Sequence, residues 1–272
     1  ARLRRVIRTL TREHGFTFLK LDFLYAAAAR GRSYNPRYSP AERLKLGYDI
    51  IREEAGPKVT LLGCGSPLAQ AVGRVESMRV GPDVAPFWFD SLRYHLTRDP
   101  HAASTYFAVR NVLNRAPMHR RLWINDPDCV FLREKEILMS PRERLTLAHA
   151  AVLAGGALLA SDRLDLLSEN GWKLEERLRE IAHRASAGEV TPLDIMSRSA
   201  PEFVMNSAGY LGVFNLTDER TNRTLELPGG AGGPQVRALR EIWAGEEIAV
   251  AGGSVDFGHF EPHESRLYEL VY

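Results

Sequence analysis

Two charged residues alternate with apolar ones in the segment 16–23, which reads Phe-Thr-Phe-Leu-Lys-Leu-Asp-Phe. Successive side chains of a β-strand point to opposite faces, so Lys20 and Asp22 would share a face. Burying charges in an apolar strand costs free energy unless they are paired or used for function. The segment therefore predicts a buried strand that carries either a reactive carboxylate or a structural ion pair.

A second carboxylate follows another strand-like run. The stretch from Met78 to Trp88 reads Met-Arg-Val-Gly-Pro-Asp-Val-Ala-Pro-Phe-Trp, and its Gly-Pro pair forces a turn. We expect Arg79 inside the strand and Asp83 on the loop beyond its end, with the aromatic residues forming apolar walls for a sugar ring. Two alternatives stay open: Asp83 as the N-cap of a helix, and Trp88 as ordinary core.

Two aspartates at strand ends are typical of enzymes that hydrolyse glycosides. One carboxylate attacks the anomeric carbon, and the other protonates the leaving oxygen and later activates water. The spacing of Asp22 and Asp83 is compatible with that chemistry if both strands open at the same edge of a sheet.

Strand-like and helix-like segments alternate over the first two thirds of the chain, which predicts parallel βαβ units. After the first strand, the buried-strand candidates are 58–64, 76–81, 121–125 and 156–161. The predicted helices are 2–13, two that open with a capping box at Ser39 and Ser140, and 164–184.

The polar residues of these segments fall at the C-terminal ends of the candidate strands, where (β/α)8 barrels carry their active sites. A doubly wound sheet also binds ligands at strand ends, but the chain has no Gly-x-Gly-x-x-Gly turn. Because we count five strands and a closed barrel needs eight, we expect the C-terminal part of a (β/α)8 TIM barrel, with about three βα units in a preceding part of the protein.

From residue 186 onward, glycines and prolines punctuate short strand-like runs. This pattern is typical of a small antiparallel β-sandwich domain. We therefore predict a partial catalytic barrel over 1–185 and a C-terminal antiparallel β domain over 186–272.

Four consecutive motifs carry a resemblance to a known family. They are Phe-Leu-Lys-Leu-Asp-Phe up to Phe23, Leu-Leu-Gly-Cys-Gly-Ser-Pro from Leu61, the Met78–Trp88 run, and Trp-Ile-Asn-Asp-Pro-Asp-Cys from Trp123. Together they resemble the catalytic strands of the α-galactosidases of glycoside hydrolase family 36 (clan D). The resemblance follows the whole chain in order. It implies a barrel followed by an antiparallel β domain, with a β-supersandwich before them.

The resemblance implies a retaining hydrolase that cleaves terminal α-galactosyl residues by double displacement, through a glycosyl-aspartate intermediate. Asp22 would be the nucleophile and Asp83 the general acid/base. The substrate-binding residues would be Lys20, Arg79, Cys64, Gly65 and Trp88. By the same resemblance, the aspartates that bind the 4- and 6-hydroxyls of galactose come from upstream barrel loops. The missing N-terminal part of the same protein, or an oligomer, would then complete the site.

The composition excludes several other classes of protein. The chain has 272 residues, of which 44% are hydrophobic and 26% charged, and a formal net charge of +2. No basic stripe with interleaved aromatics suggests a nucleic-acid partner, and no apolar run has the length of a membrane span. Cys64 and Cys129 are predicted to be free thiols of a cytoplasmic protein. We expect no cofactor and no metal, and interpret His259 and His263 as part of a solvated tail.

Two other functions stay open. Lys20 would form a Schiff base in an aldolase-like barrel, although the chain lacks a phosphate-binding glycine motif. Alternatively, the chain is a non-catalytic or incomplete fragment of a glycosidase, which binds sugars or merely folds.

Overall fold

The computed structural model describes residues 2–29, 31–33, 35–89, 91–99, 102–227 and 236–272. The chain forms two compact units, one made of residues 1–79 and 120–126 and the other of residues 80–119 and 127–272. The boundary at residues 185 and 186 stays a prediction.

The first unit is built around a parallel sheet. Its helices and strands are α1 (Arg2–Arg8), β1 (Phe18–Leu21), α2 (Pro40–Ala55), β2 (Thr60–Gly63), β3 (Ser77–Arg79) and β4 (Ile124–Asp126). The four strands follow the order β1-β2-β3-β4, and all neighbours are parallel. Each strand overlaps a predicted segment, and their carboxyl ends meet at one edge of the sheet.

β1 differs from the buried strand predicted for it. Leu19 is buried, but Phe16 and Phe18 are 52% and 53% exposed. Among the described strands β1 lies at the edge of the sheet and pairs with β2 alone. Within the described part of the chain, only one edge of β1 is paired, and two apolar side chains of this segment remain exposed.

Local sequence signals predict correctly where α2 begins but not where α1 ends. α2 begins as predicted, because Ser39 Oγ accepts the N–H of Glu42 while the Glu42 carboxylate accepts the N–H of Ser39 at 2.8 Å. The α-helical part of the first helix is shorter than predicted. It ends at Arg8, and Thr9–Glu13 continue as a π-helical turn.

The basic residues of α1 contact a buried carboxylate on α2. Glu54 of α2 is buried and accepts hydrogen bonds from the guanidinium groups of Arg8 and Arg4. These bonds lower the pKa of Glu54 to about 2. The basic N-terminal segment therefore neutralises a buried carboxylate of its own unit.

The second unit combines helices with mainly antiparallel strands. Its helices are α3 (Ser91–Thr97), α4 (Thr105–Arg115), α5 (Pro141–Leu153) and α6 (Glu169–Ala185). Its strands are β5 (Cys129–Val130), β6 (Leu159–Ala160), β7 (Val190–Pro192), β8 (Phe203–Asn206), β9 (Tyr210–Phe214), β10 (Thr221–Glu226), β11 (Ala238–Glu241), β12 (Glu247–Ala249), β13 (Ser254–Phe260) and β14 (Ser265–Val271).

The strands described in this unit form three sheets. β5 and β6 are a parallel pair, β10 pairs antiparallel with β13, and the largest sheet has the order β12-β11-β14-β9-β8-β7. Every neighbour in the largest sheet is antiparallel. The chain is thus mixed α/β, with parallel strands followed by antiparallel sheets, which is consistent with a partial barrel and a β-sandwich.

Two local predictions need correction. The helix predicted over 164–184 begins later, because Leu164–Leu166 form a 3-10 turn and the side chain of Ser168 caps α6 by accepting the N–H of Gly171 at 3.1 Å. The apolar periodicity ran through this turn and concealed the cap.

His263 does not lie in a solvated tail. Its Nδ1 lies 2.7 Å from Glu143 and its Nε2 2.8 Å from Asp218, and its ring stacks on Trp88 with centroids 4.6 Å apart. Within the described ranges, no three His, Cys, Asp or Glu side chains are grouped so as to hold a metal ion.

The helices of the described ranges are too short or too polar to cross a bilayer.

Candidate active site

Asp22 directly follows β1 and accepts two hydrogen bonds. The N–H of Phe23 donates to its Oδ1 at 2.8 Å, and the Cys64 thiol donates to the carboxylate. Partial burial acts to raise the pKa of Asp22, but these two bonds and the positive charges of Lys20 and Arg79 outweigh it, so that the pKa is lowered. Asp22 is therefore anionic at neutral pH, as a nucleophilic carboxylate has to be.

The backbone around Asp22 is tightly constrained. Phe23 has φ 54° and ψ 31°, a left-handed conformation that bulky residues rarely adopt. Gly65, at the end of the neighbouring strand, has φ +53°, and a Cβ there would lie 3.4 Å from Asp22 Oδ1. The N–H of Tyr25 donates to the Gly65 carbonyl at 2.7 Å. A glycine at 65 thus lets this turn close onto the carboxylate.

Cys64 follows β2, and its own N–H donates to the carbonyl of Leu21 at 2.8 Å. This bond continues the pairing of β1 with β2 and brings the thiol to Asp22. Burial, and then the hydrogen bond to Asp22, raise the pKa of Cys64 to about 11. The group therefore remains a protonated donor at neutral pH. Contact of Cys64 with a sugar hydroxyl stays a prediction.

Arg79 is the last residue of β3 and is buried. Its Nε donates to Asp126 Oδ2 at 3.0 Å, and the two side chains are only 3% and 1% exposed. The two residues lie opposite each other in the register of β3 and β4. Asp126 thus holds the guanidinium whose charge acts on Asp22. No local sequence pattern predicted this ion pair.

Lys20 lies on β1 two residues before Asp22, and its side chain is exposed. The first unit therefore brings Lys20, Asp22, Cys64, Gly65 and Arg79 together at the carboxyl edge of its sheet. Asp83 and Trp88 belong to the second unit.

The loop that carries Asp83 is anchored through its main chain. The Asp83 carbonyl accepts the N–H of Ser104 at 3.2 Å, and the next N–H, that of Val84, donates to Asp128 Oδ2 at 2.9 Å. Ser104, rather than Asp83, is the N-cap of α4. The side chain of Asp83 is exposed. The structure thus has Asp83 on an anchored loop, as predicted, and not at the start of a described helix.

Trp88 lies in the core of the second unit. It is 7% exposed, stacks on His263 and contacts Tyr106 edge-on with ring centroids 6.0 Å apart. This packing favours the core alternative over a wall for a sugar ring, and the proposal made below leaves Trp88 out of the site.

Asp162, another carboxylate near the end of a strand, is held by hydrogen bonds inside the second unit. It follows β6 and accepts the N–H groups of Leu132 at 2.7 Å and Arg133 at 3.3 Å, together with Arg133 Nη1 at 3.0 Å. Its side chain is fully buried. We infer that Asp162 joins two loops of the second unit.

Comparisons with known proteins find solved glycosidase structures that are similar to this chain. No protein-family model matches it. The α-galactosidase TtGalA from Thermus thermophilus, solved in complex with stachyose, is 30% identical, with a TM-score of 0.54, over 65% of this chain and 36% of that chain. The chain thus spans little more than a third of the length of the Thermus protein.

Two further structures are similar at the level of the fold. A β-L-arabinopyranosidase from Geobacillus stearothermophilus is 15% identical, with a TM-score of 0.66, over 99% of this chain and 61% of that chain. α-Galactosidase I from Mortierella vinacea is 14% identical, with a TM-score of 0.64, over 97% and 70%. The fold described here is therefore one that this chain shares with glycosidases, α-galactosidases among them.

Proposed function

We propose that this chain carries the two catalytic carboxylates of a retaining glycosidase that removes terminal α-galactosyl residues, as the α-galactosidases of family 36 do. Asp22 attacks the anomeric carbon and forms a glycosyl ester, while Asp83 protonates the departing oxygen and then takes a proton from the attacking water. The observation that carries the proposal is the hydrogen-bonded, cationic environment that keeps Asp22 ionised at the end of a parallel strand.

The neighbours of Asp22 have distinct roles in this proposal. Lys20 and Arg79 donate charged hydrogen bonds to hydroxyls of the bound sugar, and Asp126 holds Arg79 in place. Cys64 and Gly65 line the pocket near the 2-hydroxyl. No step requires a cofactor.

The similarity to the Thermus enzyme supports the α-galactoside as substrate. Since this chain spans only part of that enzyme's length, we propose that another part of the same protein, or a partner subunit, supplies the groups that bind the remaining sugar hydroxyls. Both cysteines are free thiols, which supports a reducing compartment such as the cytoplasm.

The environment of Lys20 does not favour the aldolase-like alternative. Schiff-base lysines are activated by desolvation or by a neighbouring cation. Lys20 is exposed and lies beside the Asp22 carboxylate. Borohydride should therefore trap no carbonyl substrate on Lys20.

The decisive experiment removes the nucleophile and replaces it chemically. In the full-length protein, Asp22→Gly should lower kcat/KM on 4-nitrophenyl α-galactoside by about 10⁴-fold or more. Azide should restore turnover and yield β-galactosyl azide, because it attacks from the face that Asp22 occupied. Asp162→Gly is the matched control at a structural strand end, where azide should restore nothing. Formation of α-galactosyl azide, or a covalent sugar trapped on another residue, would refute the assignment.

A further inference from the structure

A cavity of about 510 Å³ opens in the second unit, beside the turn that joins β11 to β12. Small-molecule sites have volumes of roughly 300–1,000 Å³. Its lining includes Trp243, Ala244, Glu246, Ile248, Arg142 and Leu145. These residues come from the turn, from β12 and from the first turns of α5.

Trp243 is fixed in place although its side chain remains 36% exposed. Its indole N–H donates to Nε2 of His149 at 2.7 Å, and the two rings lie side by side with centroids 5.8 Å apart and an interplanar angle of 15°. His149 is completely buried. One edge of the indole is therefore held by a buried ring, while part of the side chain remains accessible.

Both ring nitrogens of the buried His149 have hydrogen-bond partners. Because Nε2 accepts from Trp243, the ring proton lies on Nδ1, which is 2.8 Å from Ser265 Oγ. Thr146 Oγ1 lies 2.9 Å from the same oxygen. Burial lowers the pKa of His149 to about 3, so the ring stays neutral. The network therefore supports Trp243 over the whole physiological pH range.

The turn itself is also preorganised. One carboxylate oxygen of Glu241 accepts the N–H of Trp243 at 2.8 Å and that of Ala244 at 2.5 Å. A binding surface that is rigid before the ligand arrives loses less conformational entropy on binding.

Charges of both signs border the aromatic surface. Glu264 and Arg266 pair with each other at 2.8 Å, whereas Arg142 and Glu246 take part in none of the ion pairs found among the described residues. Mixed charge does not favour a ligand of high net charge. It matches a neutral polyol, whose hydroxyls accept from a guanidinium and donate to a carboxylate.

We propose that this cavity is a carbohydrate-binding site, in which the C–H face of a neutral pyranose ring packs on Trp243 while its hydroxyls bond to Arg142 and Glu246. The site belongs to the second unit alone and does not depend on the role assigned to Asp22.

Fluorine NMR of the full chain labelled with 5-fluorotryptophan tests this directly. Trp172 on α6 is the matched control, because it is 46% exposed and does not line this cavity. Stachyose, a neutral tetrasaccharide, is titrated into an Asp22→Asn background so that it is not consumed. We expect the Trp243 resonance to shift with saturation and that of Trp172 to stay in place. Arg142→Ala should weaken the apparent affinity about tenfold, the loss of one charge-assisted hydrogen bond.

Three outcomes of this titration would contradict the proposal. Equal shifts at both tryptophans, no shift at Trp243, or a shift with tetramethylammonium and none with stachyose would each overturn the proposal. Trp243→Ala removes part of a buried network, so Glu246→Gln, at an exposed position, serves as the variant that leaves the fold intact. Because hydrolysis is followed separately on 4-nitrophenyl α-galactoside, failure of the catalytic assignment would leave this test unaffected.

Discussion

The two candidate catalytic aspartates are held in different ways. Asp22 is surrounded by groups that favour its anion: the thiol of Cys64, the N–H of Phe23 and two cationic side chains. The loop of Asp83 is fixed through main-chain bonds, at the carbonyl of Asp83 and at the following N–H. A nucleophile has to remain anionic, whereas a general acid/base changes its protonation state in every cycle. The ionised state that the surroundings of Asp22 favour matches the role of a nucleophile, and the anchored loop gives the main chain of Asp83 a fixed position.

The largest expected effect separates these roles by leaving group. In the full-length protein, Asp83→Ala should lower kcat/KM on galactosyl oligosaccharides by about 10²–10⁴-fold, because the departing sugar oxygen needs a proton. On 2,4-dinitrophenyl α-galactoside, whose leaving oxygen needs none, the loss should be small. Asp22→Ala should lower kcat/KM severely on both substrates. Steady-state kinetics on the two substrates measure the contrast, and equal losses for Asp83→Ala would assign it another role.

The next effect concerns the ion pair behind Asp22. Arg79→Met removes the buried guanidinium that donates to the Asp126 carboxylate and should lower the free energy of unfolding by about 3–5 kcal/mol, as measured by urea denaturation. Arg133→Met is the matched control. The side chain of Arg133 is 13% exposed, against 3% for Arg79, and its partner Asp162 keeps two N–H donors, so we expect a smaller loss. A smaller loss for Arg79→Met than for Arg133→Met would contradict the positioning role given to Asp126.

The smallest expected effect is a shift in the pH profile of kcat/KM. Since kcat/KM requires anionic Asp22, it falls as the pH drops through the pKa of that group. Cys64→Ala removes a hydrogen bond that lowers this pKa, so the acid limb of the pH profile should move to higher pH. At neutral pH, kcat/KM should fall by about tenfold or less.

Cys64→Ser restores a hydroxyl donor and should return the acid limb toward its original position. If the alanine and serine variants gave the same profile, the thiol would not tune Asp22. The full-length protein and a single nitrophenyl substrate suffice for all three profiles.

Much of the local structure follows from short-range signals. The capping boxes at Ser39 and Ser140 start α2 and α5 where expected, because each depends on residues three positions apart. The placement of Asp22, Cys64 and Arg79 at one sheet edge also follows, since parallel strands align their carboxyl ends.

Contacts between distant residues did not follow from the sequence. The pairing of Arg79 with Asp126 depends on the register of β3 and β4, which no local pattern specifies. The stacking of Trp88 on His263 joins two residues of the second unit that are far apart in the sequence. Trp88 was predicted as a wall for a sugar ring because it is aromatic, and His263 as part of a solvated tail because its spacing suits no metal site, whereas both are packed in the structure.

One feature of β1 also bears on the handling of this protein. An edge strand offers unpaired N–H and C=O groups to any other strand that approaches it, and natural proteins protect such edges with charges, prolines or covering segments. β1 carries one exposed charge, that of Lys20, but also the exposed Phe18, and it follows the exposed Phe16. A chain produced with that edge uncovered would associate with its own copies through intermolecular β-pairing. Its solubility would then depend on concentration, and an added lysine in place of Phe18 would improve its yield before it changed any chemistry.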